Sequence, residues 1–263
     1  MFGSQSSPYG VRRAQFRPSA IFLGLTALFV LSGWLAWQDI GSARLNVFLF
    51  VVSGWLVSLC LHEYAHAITA FKGGDRMVAD RGYLTLNPLK YTHPFLSFVI
   101  PLLFVLLGGI GLPGGAVWVD RHSLRSRAWD SGVSFAGPAT NLLFAIALIL
   151  PFTAGVDTDQ HFVFWGGMAF LALLQVMATV LNFVPIPGVD GGNLIEPWLS
   201  PQWQRGFQHV APYGMLLLIA LLWTPAIGRY FYLLVYFLAD LMGLSFASLR
   251  DGQQLFPHLD LNF

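Results

Sequence analysis

Residues 46–70 read NVFLFVVSGWLVSLCLHEYAHAITA, an apolar run long enough to cross a bilayer as a helix. Near its C-terminal end stands His62-Glu63-Tyr64-Ala65-His66, an H-E-x-x-H motif. Helical residues four apart share a face, so both imidazoles can reach one zinc ion. Glu63 is turned partly aside, where it can serve a zinc-associated water as a base. Two histidines and a carboxylate at membrane depth are costly and mark a functional site by default. Seven His and two Glu scattered at random produce this pattern in about one such chain in a thousand, so the match is specific. The competing reading, a buried His pair bonded to backbone carbonyls, bears the same cost with no function to account for it.

Composition agrees with a membrane setting. Of 263 residues, 56% are hydrophobic and 10% charged, where a soluble domain carries about 25% charged residues. Mean hydropathy is +0.62. A net charge of +1 gives no hint of a nucleic-acid partner. With one cysteine, Cys60, no intrachain disulfide can form. Cys60 lies two residues before His62, off the ligand face, and reads as a small buried apolar residue. Arg12, Arg13 and Arg17 ahead of an apolar run resemble a signal peptide. The run Pro18 to Trp37 is too long for one, and Trp34 and Trp37 stand where cleavage needs small residues. An uncleaved first span is expected.

Runs nearly free of charge place spans at about 19–38, 46–70, 132–152 and 162–185, and about 210–245 is long enough for two, broken at Pro225 and Gly228. Lys and Arg mark the cytoplasmic side. They gather before the first span, after the second (Lys72, Arg76, Arg81, Lys90), and at Arg121, Arg125 and Arg127. The 153–161 loop holds Asp157 and Asp159 but neither Lys nor Arg, so it reads as outside. The stretch 95–119, interrupted by Pro101, Gly108, Gly109, Gly111, Pro113, Gly114 and Gly115, is then flanked by cytoplasmic loops on both sides. That predicts a re-entrant element, the alternative being an ordinary span. Tyr83-Leu84-Thr85-Leu86 and Ala116-Val117-Trp118-Val119 are rich in strand formers and could pair as a small β-hairpin at the membrane surface, or remain loop.

Zinc hydrolases hold the metal with three protein ligands and leave a fourth position for water. Asp190 is the favoured third ligand. It follows a span running from outside to inside, as the motif helix does, so both ends arrive on one side. Pro185 and Pro187 break the helix ahead of it. Taken alone, Asp190-Gly191 is a common turn pair; beside the motif, the ligand reading is the stronger one. Glu196 is the alternative if the third ligand is a glutamate on a later helix.

The H-E-x-x-H in a span, the Gly137-Pro138-Ala139-Thr140-Asn141 segment and the run Asn182-Phe183-Val184-Pro185-Ile186-Pro187-Gly188-Val189-Asp190-Gly191 together resemble the site-2 protease family of intramembrane zinc metalloproteases. Three motifs in order, over about residues 45–195, carry the likeness. It implies zinc on His62, His66 and Asp190, Glu63 as catalytic base, and Asn141 holding substrate or the reaction's oxyanion. Tyr83-Leu84-Thr85-Leu86-Asn87-Pro88 is also similar to the stretch after the zinc helix in compact bacterial members. Where those carry His-x-Asp-Pro, this chain has Tyr91-Thr92-His93-Pro94, a departure outside the ligand set.

The expectation is therefore an all-α polytopic membrane protein with about six transmembrane helices, a re-entrant element and a possible small β-hairpin. Residues 1–45 hold the tail and first span, 46–195 the zinc protease core, and 196–263 the C-terminal helices. One Zn2+ per chain would serve cleavage of other proteins' transmembrane segments near the cytoplasmic side. The bilayer is the setting, namely a bacterial inner membrane with the N-terminus cytoplasmic, and no nucleic acid takes part. A membrane zinc transporter or metal sensor is the alternative. Asn182 and Asp240 read equally as functional or as packing residues, His93 as a solvated interfacial residue or a substrate contact, and His122, His161, His209 and His258 as loop or interface residues.

Overall fold

The computed structural model describes residues 16–91, 103 and 117–257, and every regular element among them is helical. Lipid leaves no water to satisfy backbone groups, which favours spans that bond internally. Helix α1 is Ala20–Trp37, started by Ser19, whose side chain accepts the Phe22 amide. Helix α2 is Ala43–Gly73, capped by Ser42. After the short α3, Met77–Asp80, come α4, Arg127–Thr153, and α5, Phe162–Asn182. The remainder are α6 (Asp190–Ile195), α7 (Pro201–Val210), α8 (Gly214–Trp223), α9 (Pro225–Leu241) and α10 (Phe246–Leu255).

Five stretches are long and apolar enough to cross a membrane: α1, α2, α4, α5 and residues 201–223. The pair α9 and α10, bent by 117°, makes a sixth if it is one broken span. This is an all-α polytopic membrane protein. Helix α5 is its hub, with 78% of its apolar window buried against 17% for α1. Phe170, Leu171, Ala172, Leu173 and Leu174 are consecutive and wholly buried, as expected of a helix apolar on all faces. Helix α10 folds back onto it at Gly166 and Gly252. A Cβ on Gly252 would stand 2.3 Å from the Gly166 carbonyl oxygen, the close approach that small residues permit between helices in lipid.

The two ends of the bundle differ in charge. At one, Trp37 stacks on His161 at 3.7 Å, joining the end of α1 to the start of α5 near Asp157 and Asp159. At the other, the Ser19 amide donates to Thr85 O and the Arg125 amide to Gly73 O. Lys72, Arg76, Arg81, Lys90, Arg121, Arg125 and Arg127 lie in or beside these segments. These seven basic residues share one end.

One expectation needs correction. Tyr83-Leu84-Thr85-Leu86 is not a strand. Tyr83–Thr85 is one 3-10 turn, bracketed by left-handed backbone at Gly82 (φ 78) and Leu86 (φ 53). Burial of Tyr83 and Leu84 beneath the end of α2 draws this segment into a turn despite its composition. No β-hairpin occurs among the described residues; Val117, Trp118 and Val119 have no regular structure. The break in 210–245 falls at Thr224, beside the expected Pro225. Gly214 backs onto Pro187 O, whereas Gly243 lies against Thr153 at the far end of α4. The stretch 95–119, apart from Leu103 and Val117–Val119, lies outside the described residues, as do His93 and His258.

Candidate metal centre

Helix α2 presents His62 and His66 one turn apart, both buried. Helix α5 ends at Asn182, and after Pro185 and Pro187 the chain resumes as α6 with Asp190 first. The His62 and His66 Nε2 atoms are 3.0 Å apart, and Asp190 Oδ2 lies 3.2 Å from the first and 3.3 Å from the second. Donors on a tetrahedral zinc at about 2.0 Å stand about 3.3 Å apart, so this triangle has the size the ion requires. His66 Nδ1 is 2.6 Å from Val133 O. Donation there leaves the Nε2 lone pair for the metal, the usual outer support of a ligating histidine. Burial works against ionisation of Asp190, but the His66 charge and hydrogen bonds from His62 and His66 outweigh it, holding the carboxyl well below its ordinary range.

Gly137 supplies a second test of the fit. It faces the donors from α4, and a Cβ there would stand 2.3 Å from His66 Nε2 and 2.6 Å from His62 Nε2. Only a residue without a side chain leaves that space open beside the donor triangle. The residues present fit zinc.

Glu63 is 2% exposed. Its Oε1 lies 3.9 Å from His62 Nε2, Oε2 has no partner among the described residues, and the Val117 amide hydrogen-bonds the carboxylate. A cavity of about 450 Å³ joins the three donors and Glu63 to Val117–Val119, Ser134, Asn182 and Asn193. Arg121 and Asp130 also line it, 2.9 Å apart, and Arg121 reaches Glu196 at 3.7 Å. The strip over the cavity is strapped down. Asp75, wholly buried, accepts the Met77 and Asp120 amides, and Arg81 bonds Trp118 O while lying 3.9 Å over the Trp118 ring.

The structure thus brings together His62, Glu63, His66 and Asp190. Asn141 is buried, one turn beyond Gly137 on the same face, but does not line the cavity, whereas Asn182 does. Glu196 is engaged by Arg121 and Gln208, away from the donors. Asp240, His122 and His209 are exposed, and His161 packs on Trp37. Sequence reasoning missed the Val133 carbonyl, Asn193, the Arg121–Asp130–Glu196 group and the part played by Gly137. A glycine inside an otherwise helical pattern, next to a proline, was the available signal for the last.

Fold and site define the class: a polytopic membrane protein with two histidines and a carboxylate placed to hold a metal ion and a buried glutamate beside them. Among known proteins, the chain is 49% identical over 247 residues to the "Putative zinc metalloprotease Rip2" of Mycolicibacterium smegmatis, covering 92% of this chain and 95% of that one. It is 47% identical over 250 residues to the protein of the same name from Mycobacterium tuberculosis strain H37Rv, covering 93% and 95%. A protein of that description from Bacillus subtilis, YwhC, is 30% identical over 198 residues, covering 71% and 85%. The chain belongs to the site-2 protease family. No protein-family model and no solved structure matches it.

Proposed function

We propose that this protein is a zinc-dependent endopeptidase that cleaves transmembrane segments of other membrane proteins near the cytoplasmic side. The observation that carries the reading is the donor triangle, with Glu63 beside it, at the end of a helix buried inside an apolar bundle. His62, His66 and Asp190 would hold the metal, which supplies Lewis-acid chemistry to a water and to a peptide carbonyl. Glu63 accepts the proton of the attacking water as its oxygen bonds to the carbonyl carbon. It returns that proton to the nitrogen as the C–N bond breaks. Asn141, one turn behind Gly137, is assigned to substrate or oxyanion through the family's motif, and Asn182 stands nearer the reacting space.

A transmembrane helix hides its peptide bonds, so it must unwind before cleavage. Val117–Val119, irregular and clamped beside Glu63, offers a backbone edge for the unwound segment. Proline at Val117 should then abolish cleavage while leaving zinc in place, and unimpaired cleavage would exclude edge pairing. The basic end of the bundle carries the site, which supports a cytoplasmic N-terminus in a bacterial inner membrane. Cysteine labelling that reached the site only from the opposite face would reverse this topology.

The transporter reading is disfavoured because the metal donors form one group at one depth, with no second group among the described residues. A Glu63→Gln variant separates the two. A protease keeps zinc, loses turnover and co-purifies with uncut single-span proteins; a transporter changes metal flux instead.

A further inference from the structure

Five buried polar atoms have no partner among the described residues: His62 Nδ1, Gln175 Oε1, Glu63 Oε2, Trp55 Nε1 and Trp165 Nε1. The first two are complementary. With His62 Nε2 turned to the donor triangle, Nδ1 carries the ring proton and can only donate, while Oε1 can only accept. Gln175 is wholly buried in α5, and its amide is oriented. Nε2 donates to Ser58 Oγ at 2.8 Å, and Ser58 in turn donates to Trp55 O at 2.8 Å.

Register brings the two atoms to one region. Ser58 is four residues before His62, on the same face of α2 and one turn away. On α5, Asn182 lines the cavity and stands seven residues after Gln175, two turns along the same face. Gln175 therefore lies about one turn behind His62, reaching across to α2 through Ser58. A single water between a buried donor and a buried acceptor satisfies both. A ligating histidine ordinarily hands its second N–H to such a partner, which fixes its tautomer and ring orientation.

We propose that Gln175, oriented by Ser58 and acting through a bridging water, is the positioning residue for His62, as Val133 O is for His66. This rests on the reading of the site as a zinc centre. The rival donor for Gln175 Oε1 is Trp55 Nε1, also without a partner but two turns from His62 on the far side of Ser58.

The test is zinc affinity, measured by chelator competition on the full chain in detergent. The parent should take up one zinc and His62→Ala should not; a parent that takes up none would sink the zinc reading itself. Gln175→Met keeps the length and removes the acceptor, and should weaken zinc about 10- to 100-fold. Gln175→Glu restores an acceptor and should bind within about threefold of the parent, and Trp55→Phe should change nothing. A Met variant within threefold of the parent, or a Glu variant as weak as the Met variant, would overturn the proposal alone. Should Gln175→Met fail to fold, Ser58→Ala carries the test. It frees the amide from its anchor and should weaken zinc severalfold, and parental affinity would again overturn the proposal.

Discussion

Substituting Gly137 by alanine adds one carbon where the metal donors meet. That carbon would stand 2.3 Å from His66 Nε2 and 2.6 Å from His62 Nε2. An ordinary C···N contact is about 3.4 Å, so both rings would have to retreat by roughly 1 Å. A zinc site tolerates about 0.2 Å in its bond lengths. The rings are held from behind as well, since His66 Nδ1 is fixed on Val133 O. Overpacking of this kind costs about 1–3 kcal/mol, and at about 3 kcal/mol the zinc Kd rises roughly 150-fold. The assay is zinc content and chelator competition on purified protein. Gly132 is the internal control. It lies on the same helix with nothing within 4 Å of an added Cβ, so Gly132→Ala should leave zinc binding unchanged and stabilise the helix by about 0.5–1 kcal/mol. If Gly137→Ala bound zinc with parental affinity, the assignment of α4 as the wall of the metal site would be wrong.

Glu63→Gln should retain zinc and lower kcat by about 10²- to 10⁴-fold, measured on any substrate the protein cleaves, because it removes the base and leaves the donors. Chelation should lower the unfolding midpoint; at free zinc one hundred times Kd the bound ion contributes about 2.7 kcal/mol, several degrees for a chain of this size. Gly252→Ala should destabilise by about 1–3 kcal/mol through its clash with Gly166 O, with zinc affinity unchanged, because this contact is remote from the donors.

The sequence made the zinc helix legible because period and chemistry coincide there: two histidines on one face of an apolar run. Asp190 was reached by counting span directions and through the run Asn182 to Gly191, and its carboxylate stands beside both histidines. Gly137 was visible as part of a motif but not as a wall, since a glycine's role is defined by what approaches it. The strand reading of 83–86 failed because β-formers also fill buried turns, and Gly82 and Leu86 set the backbone. Arg121, Asp130 and Glu196 are spread over 75 positions of the chain, and no local pattern announces their meeting.

Tyr91 donates to the Cys60 carbonyl, and Asp75, just past the end of the zinc helix, accepts the Asp120 amide. Tyr91 and Asp120 are therefore tied to the C-terminal half of α2 and its immediate continuation, so any movement of that part of the helix carries both with it.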